Sequence, residues 1–204
     1  MDWTGYYNAQ TGRRVRSVLL ETLELRGDLP PGTAIDIGCG EGTETRYLLA
    51  NGWRVLAIDA DPAAEERVRS GLAREELERL TFRRARFEEI DQLPAADLVY
   101  AGFALPFCDP AAFPAMWTGI RSSLRPSAWL AGELFGPHDS WFGRTDMNFH
   151  DRAQVRSLLS GLTVHGLVED DRMGGSAFGP RHWHVFHIIA ATPTLVDDVS
   201  PLAV

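Results

Sequence analysis

The chain has no lysine; all twenty of its basic residues are arginine. That absence removes every chemistry built on an ε-amine, so a Walker A nucleotide site, a Schiff-base enzyme and a pyridoxal enzyme are excluded. Cysteine is nearly as scarce. Cys39 and Cys108 are the only two, too few for a disulfide framework, which points to a reducing compartment. Positive charge is short as well. Twenty basic side chains face 28 acidic ones, a formal net charge of -8, so the long-range field repels nucleic acid and no such partner is expected. No apolar run is long enough to span a bilayer, and the opening MDWTGYYNAQ has neither the basic nor the apolar region of a signal peptide. A cytoplasmic protein with no membrane partner is expected.

What is present suits one α/β domain with its own core, since 45% of the 204 residues are hydrophobic. Val15, Val18, Leu19, Thr22 and Leu25 recur at helical spacing up to Gly27 and Pro30. Strands are predicted at 33–37, 54–58, 81–86, 97–101 and 129–135, with helices between them. Phe113, Met116, Trp117, Ile120 and Leu124 form the clearest helical stripe, read as core. The cluster Arg83, Arg84 and Arg86 reads as charge on a solvated edge strand. A long loop, GPHDSWFGRTDMNFH, follows the fifth strand, and a loop of this length is usually functional. Asp151 with Gln154 then predicts a capping box, and two last strands near 163–169 and 182–191 flank the glycine-rich MGGSAFGP.

The informative segment is AIDIGCGEG at 34–42 followed by RVLAID ending at Asp59. Gly38, Gly40 and Gly42 allow a tight turn and a close approach of backbone to ligand. Asp59, seventeen residues after Gly42, falls where a strand, helix, strand unit brings an acid beside a ribose. The pyrophosphate pattern G-x-G-x-x-G is met at Gly38 and Gly40 but finds Thr43 in the third position, and Asp36 fits badly beside a pyrophosphate. An acid there suits a ligand bearing an ammonium and a sulfonium.

The pattern D-x-G-x-G-x-G at Asp36, Gly38, Gly40 and Gly42 resembles motif I of the class I S-adenosylmethionine (SAM) dependent methyltransferases. FGPHDSW and RHWHVFHIIA resemble the small bacterial members of the tellurite-resistance type. The resemblance implies a Rossmann-like sheet in the order 3-2-1-4-5-7-6 with strand 7 antiparallel and helices on both faces. It divides the chain into an N-terminal lid and helix at 1–30, a methyltransferase domain at 31–192 and a tail at 193–204. It implies that Asp36 and the turn through Cys39 and Gly42 hold the methionine part of SAM, Asp59 the ribose, and Ala60, Phe87 and Glu88 the adenine. The segment Tyr100 to Cys108, Ala101 included, would lie beside the sulfonium, with Phe103, Pro106 and Phe107 as an apolar wall. The leading segment would close over the site, Tyr7 and Arg13 reaching the cofactor and Trp3 the acceptor.

His138 and Trp141 in the long loop, and His182 at the start of the last strand, are the candidate base and acceptor wall, with His150 a further candidate base. His182 and His184 share a strand face. Without a third matched ligand they read as hydrogen-bonded or substrate-shaping, and no metal is expected. No N-P-P-Y tetrad follows the fourth strand, and Phe107 separates Pro106 from Cys108, removing a Pro-Cys nucleophile. A small molecule with apolar surface is the expected acceptor, with its reacting atom open. The arginine and alanine bias points to a GC-rich bacterial source. The sequence leaves two alternatives, a nicotinamide (NAD) oxidoreductase and a SAM-binding protein that transfers nothing; it leaves oligomeric state undecided.

Overall fold

The computed structural model describes residues 12–176 and 179–194. Seven strands form one sheet in the order β3-β2-β1-β4-β5-β7-β6. They are β1 (Thr33–Ile37), β2 (Arg54–Asp59), β3 (Leu80–Arg84), β4 (Ala96–Ala101), β5 (Leu124–Phe135), β6 (Thr163–Gly174) and β7 (Arg181–Ala191). The first five pair in parallel, while β7 runs antiparallel to both β5 and β6. Parallel neighbours need crossovers, and helices α1 (Ser17–Arg26), α2 (Thr43–Ala50), α3 (Ala64–Arg69), α4 (Arg74–Leu77), α5 (Phe113–Ser123) and α6 (Arg152–Leu158) flank the strands. The strand order and the antiparallel β7 agree with the sequence expectation.

Strand alternation divides the core into two layers. Ile35, Ile37, Val99, Leu130, Phe186 and Ile188 face α5 and α6, meeting Phe113, Met116, Ile120 and Val155. Ala34, Val55, Leu98, Ala131 and Ile189 face the other way, onto Val18 and Leu19 of α1, Leu48 and Leu49 of α2, and Val68 of α3. Covered on both faces, the central strands read as near-continuous apolar runs. Helix α1 packs its buried side on β5 and β7 and covers the sheet.

Several boundaries differ from expectation. The α5 stripe includes Leu124 by spacing, yet the helix stops at Ser123 and Leu124 opens β5, pairing with Ala96. Pro126, which cannot donate a helical hydrogen bond, and Ser127 at φ +60 make the helix impossible to continue. Strands β6 and β7 pair all the way to Gly174 and Arg181, a longer hairpin than the apolar alternation marks. Asp151 caps α6 as expected, its side chain accepting the Gln154 amide while Gln154 returns the bond to the Asp151 amide. Arg83 lies on the edge strand β3 and binds Asp91 and two loop carbonyls, consistent with a solvated edge.

Candidate active site

The turn after β1 is built by its glycines. Gly38 sits at φ +69, and a Cβ there would collide with the Ala104 methyl, so only glycine fits the space and the backbone angle together. Gly42, at φ +85, begins α2 where a Cβ would lie 2.8 Å from Val68 Cγ2. Its role is helix packing, away from the ligand space. The amides of Gly38 and Cys39 both donate to the Ile58 carbonyl, at 2.8 and 3.1 Å, and the Gly40 amide donates to Asp59 Oδ2 at 2.7 Å. The loop is thus pinned to the end of β2.

A cavity of about 560 Å3 opens along this carboxyl edge, within the range of small-molecule sites. Asp36, Gly38, Cys39, Gly40, Asp59, Ala60, Phe87 and Glu88 all line it, as do Arg13, Phe103 and Phe107. Parallel strands bring these groups together because each turn leaves the sheet on the same edge. Phe87 and Glu88 sit on a one-turn 3-10 helix after β3, at the far end from the glycine turn.

The electrostatics of the near end are unusual. Asp36 is 2% exposed, and burial together with the charge of Glu44 pushes its carboxyl up to about 7, only partly offset by the Thr45 hydroxyl, which donates to it at 2.5 Å. Asp59 is also raised, first by burial, against the opposing hydrogen bonds from the Asp61 and Gly40 amides. Burial pushes Glu44 up too, but both guanidinium nitrogens of Arg13 bind its carboxylate and carry it below its usual value. Arg13 lines the cavity. Its charged fork is directed at Glu44.

Three groups, Arg16, Glu133 and His187, carried no sequence signal, and Tyr100 was expected only as the start of the segment after β4. Arg16 lines the cavity, its Nε is buried without a hydrogen-bond partner, and its guanidinium lies 4.5 Å over the Phe103 ring. Tyr100 lines it too, with a buried and unpartnered hydroxyl. Glu133 on β5 is buried beneath, accepting the Phe103 amide at 3.0 Å. His187 Nδ1 on β7 approaches Glu133 at 3.5 Å. Phe103 itself is held at φ +53, an uncommon angle for a bulky residue, and the Glu133 bond helps hold it there.

Other expected residues lie elsewhere. Ala101 is buried within β4 and contributes nothing to the cavity lining. Trp141 packs against Phe107 and Phe135 at ring distances of 6.1 and 6.3 Å, one layer behind the wall. His138 and His182 also stand outside the lining, bound to Asp171 at the β6 and β7 edge. For His182 the reason is strand parity, since Trp183 and Val185 face the aromatic wall and His182 and His184 project to the opposite side. His150 is half-buried against Phe113, and burial lowers its pKa. Trp3 and Tyr7 lie outside the described residues.

The methyltransferase domain family matches residues 34–127, which span the glycine turn, Asp59 and β4. Over that stretch the chain is similar to the methyltransferase domain family. It is 28% identical over 138 residues to the malonyl-[acyl-carrier protein] O-methyltransferase of Xylella fastidiosa (strain M23), a match covering 64% of this chain and 44% of that protein. The chain therefore spans less than half the length of that curated relative. TehB from Haemophilus influenzae superposes with a TM-score of 0.69 at 11% identity, over 93% of this chain and 67% of TehB. The 1,6-didemethyltoxoflavin N1-methyltransferase of Burkholderia thailandensis, solved with that acceptor and S-adenosylhomocysteine bound, superposes with a TM-score of 0.63 at 20% identity, over 93% and 84%. At these identities the solved structures speak for the fold. No helix among the described residues is long and apolar enough to cross a membrane.

Proposed function

We propose that this chain transfers the methyl group of SAM to a small-molecule acceptor held against the Phe103 and Phe107 wall. The observation that carries the reading is the distribution of charge along the cavity. Asp36, Glu41, Glu44, Asp59 and Asp61 all line it, a set that opposes a dinucleotide pyrophosphate and favours a ligand with cationic and hydroxyl groups. A bare backbone at Gly38, a paired acid at Asp59 and an apolar pocket at Phe87 fit the methionine, ribose and adenine parts in turn.

SAM supplies a methyl group already bonded to an excellent leaving group, so the protein's task is alignment and exclusion of water. Alignment of reactants supplies roughly 7 to 11 kcal/mol in favourable cases. Asp59 accepts the ribose hydroxyls, and Asp36 offsets the positive end of the ligand. Arg16 meets an anionic group, since its Nε lacks a protein partner. On the acceptor side, Tyr100 Oη hydrogen-bonds the incoming molecule, with Glu133 and His187 behind it to receive a proton where the nucleophile carries one. These groups take over the role that spacing suggested for His138 and His182.

Calorimetry with SAM, S-adenosylhomocysteine and NADH tests the reading, with the first two binding and NADH producing no heat. Asp59→Ala weakens SAM binding by about 1 to 3 kcal/mol through lost charged hydrogen bonds. Unchanged affinity in that variant rejects the ribose assignment. Mass spectrometry then detects one added methyl on the productive member of an acceptor panel.

A further inference from the structure

At the edge of the sheet away from the cavity, three strand ends bring imidazoles and carboxylates together. His138 follows β5, Glu169 and Asp171 lie on β6, and His182 and His184 lie on β7. His138 Nδ1 meets one oxygen of Asp171 at 2.8 Å, and His182 Nε2 meets the other. Ligand atoms of His138, Asp171 and His184 all fall within 4.8 Å of one another. The His138 and His184 rings stack at 4.6 Å, so the two imidazoles already sit together at this edge.

We propose that His138, His182, His184 and Asp171 bind a divalent transition ion of the zinc type, tying the loop after β5 to the β6 and β7 hairpin. Three imidazoles and one carboxylate supply four ligands of types that zinc accepts. Glu169 Oε1 lies 2.9 Å from His184 Nε2, the carboxylate behind a histidine that fixes its tautomer and leaves Nδ1 as the donor. That Nδ1 now accepts the His138 amide at 3.0 Å, the one backbone hydrogen bond the ion would displace. His138 and His182 now share ring nitrogens with Asp171, so on binding each ring must turn a lone pair to the ion and keep its proton on the other nitrogen. Their side chains are 65% and 40% exposed, so water can accept that relocated N–H. Neither cysteine takes part, since both are buried elsewhere.

The site differs from the cavity in place and in residues, so it can fail without touching the proposed methyl transfer. The test is titration of the untagged, chelator-treated protein with zinc chloride, followed by calorimetry and thermal melting. One ion per chain and a rise in Tm are expected. Asp171→Asn and His138→Ala each weaken binding about tenfold or more, while both variants melt near the parent temperature in chelator. His165→Ala, on β6 but stacked against Trp129, binds as the parent does. Absence of zinc binding in the parent, or equal affinity in Asp171→Asn and His138→Ala, overturns the proposal.

Discussion

Asp36 ties ligand affinity to pH in a way that can be worked through from its surroundings. Its rise from 3.8 to about 7 disfavours the ionised carboxylate by roughly 4 kcal/mol relative to water. The first cause is burial and the second is the charge of Glu44. A cationic ligand placed beside it reverses the balance and draws the carboxyl back to its charged form. SAM binding therefore releases a proton below neutrality. Apparent affinity climbs as pH rises toward about 7, by up to tenfold for each pH step, and then levels. Of the groups facing Asp36, Glu44 is held below its usual value by Arg13, and Cys39 and Tyr100 are pushed well above theirs. Asp59 is raised as well, so Asp36→Asn is the variant that isolates the effect.

For the free protein the sign is opposite. A carboxyl whose folded value lies above its unfolded one binds protons more tightly when folded, so its stabilising contribution is full below 3.8 and lost as pH climbs through about 7. Calorimetry in two buffers of different ionisation enthalpy measures the released proton directly. A SAM affinity that is flat across that range, or an Asp36→Asn variant that keeps the parent slope, would refute this role of Asp36.

Three further perturbations act on single contacts. Gly38→Ala forces a methyl into the Ala104 side chain and an L-residue to φ +69, costing about 1 to 2 kcal/mol for the backbone alone; adding Ala104→Gly restores part of the stability measured by urea unfolding, but not all. Asp139→Asn removes the charge opposite Arg181, whose side chain is 4% exposed between Trp141 and Trp183 with Nε and Nη1 already unpartnered. A loss of roughly 3 to 5 kcal/mol is expected, and Arg181→Met in the same chain recovers much of it in a double-mutant cycle. Glu133→Gln lowers kcat more than it raises the KM for SAM, because its partners Phe103 and His187 belong to the acceptor side.

How far the chain could be read in advance follows from where its information lies. The glycine turn and Asp59 were legible because the loop that makes the site is contiguous, and the parallel β1 and β2 place Asp59 by a short fixed crossover. Phe87 and Glu88 came by resemblance and fall on the same cavity edge. Glu133 and His187 carried no local signal, since only the antiparallel register of β5 on β7 sets them opposite each other. The histidines of β7 fail in a more instructive way. Alternation correctly puts His182 and His184 on one face, but it cannot say which face looks into the site. Phe135, Val185 and Trp183 claim the inner side for the aromatic layer, which leaves the histidines facing Asp171 and Glu169 on β6. A period of two fixes parity, and only the packing of large apolar side chains fixes its sign; a chain with Trp183 and His184 exchanged would carry its imidazole toward the acceptor wall.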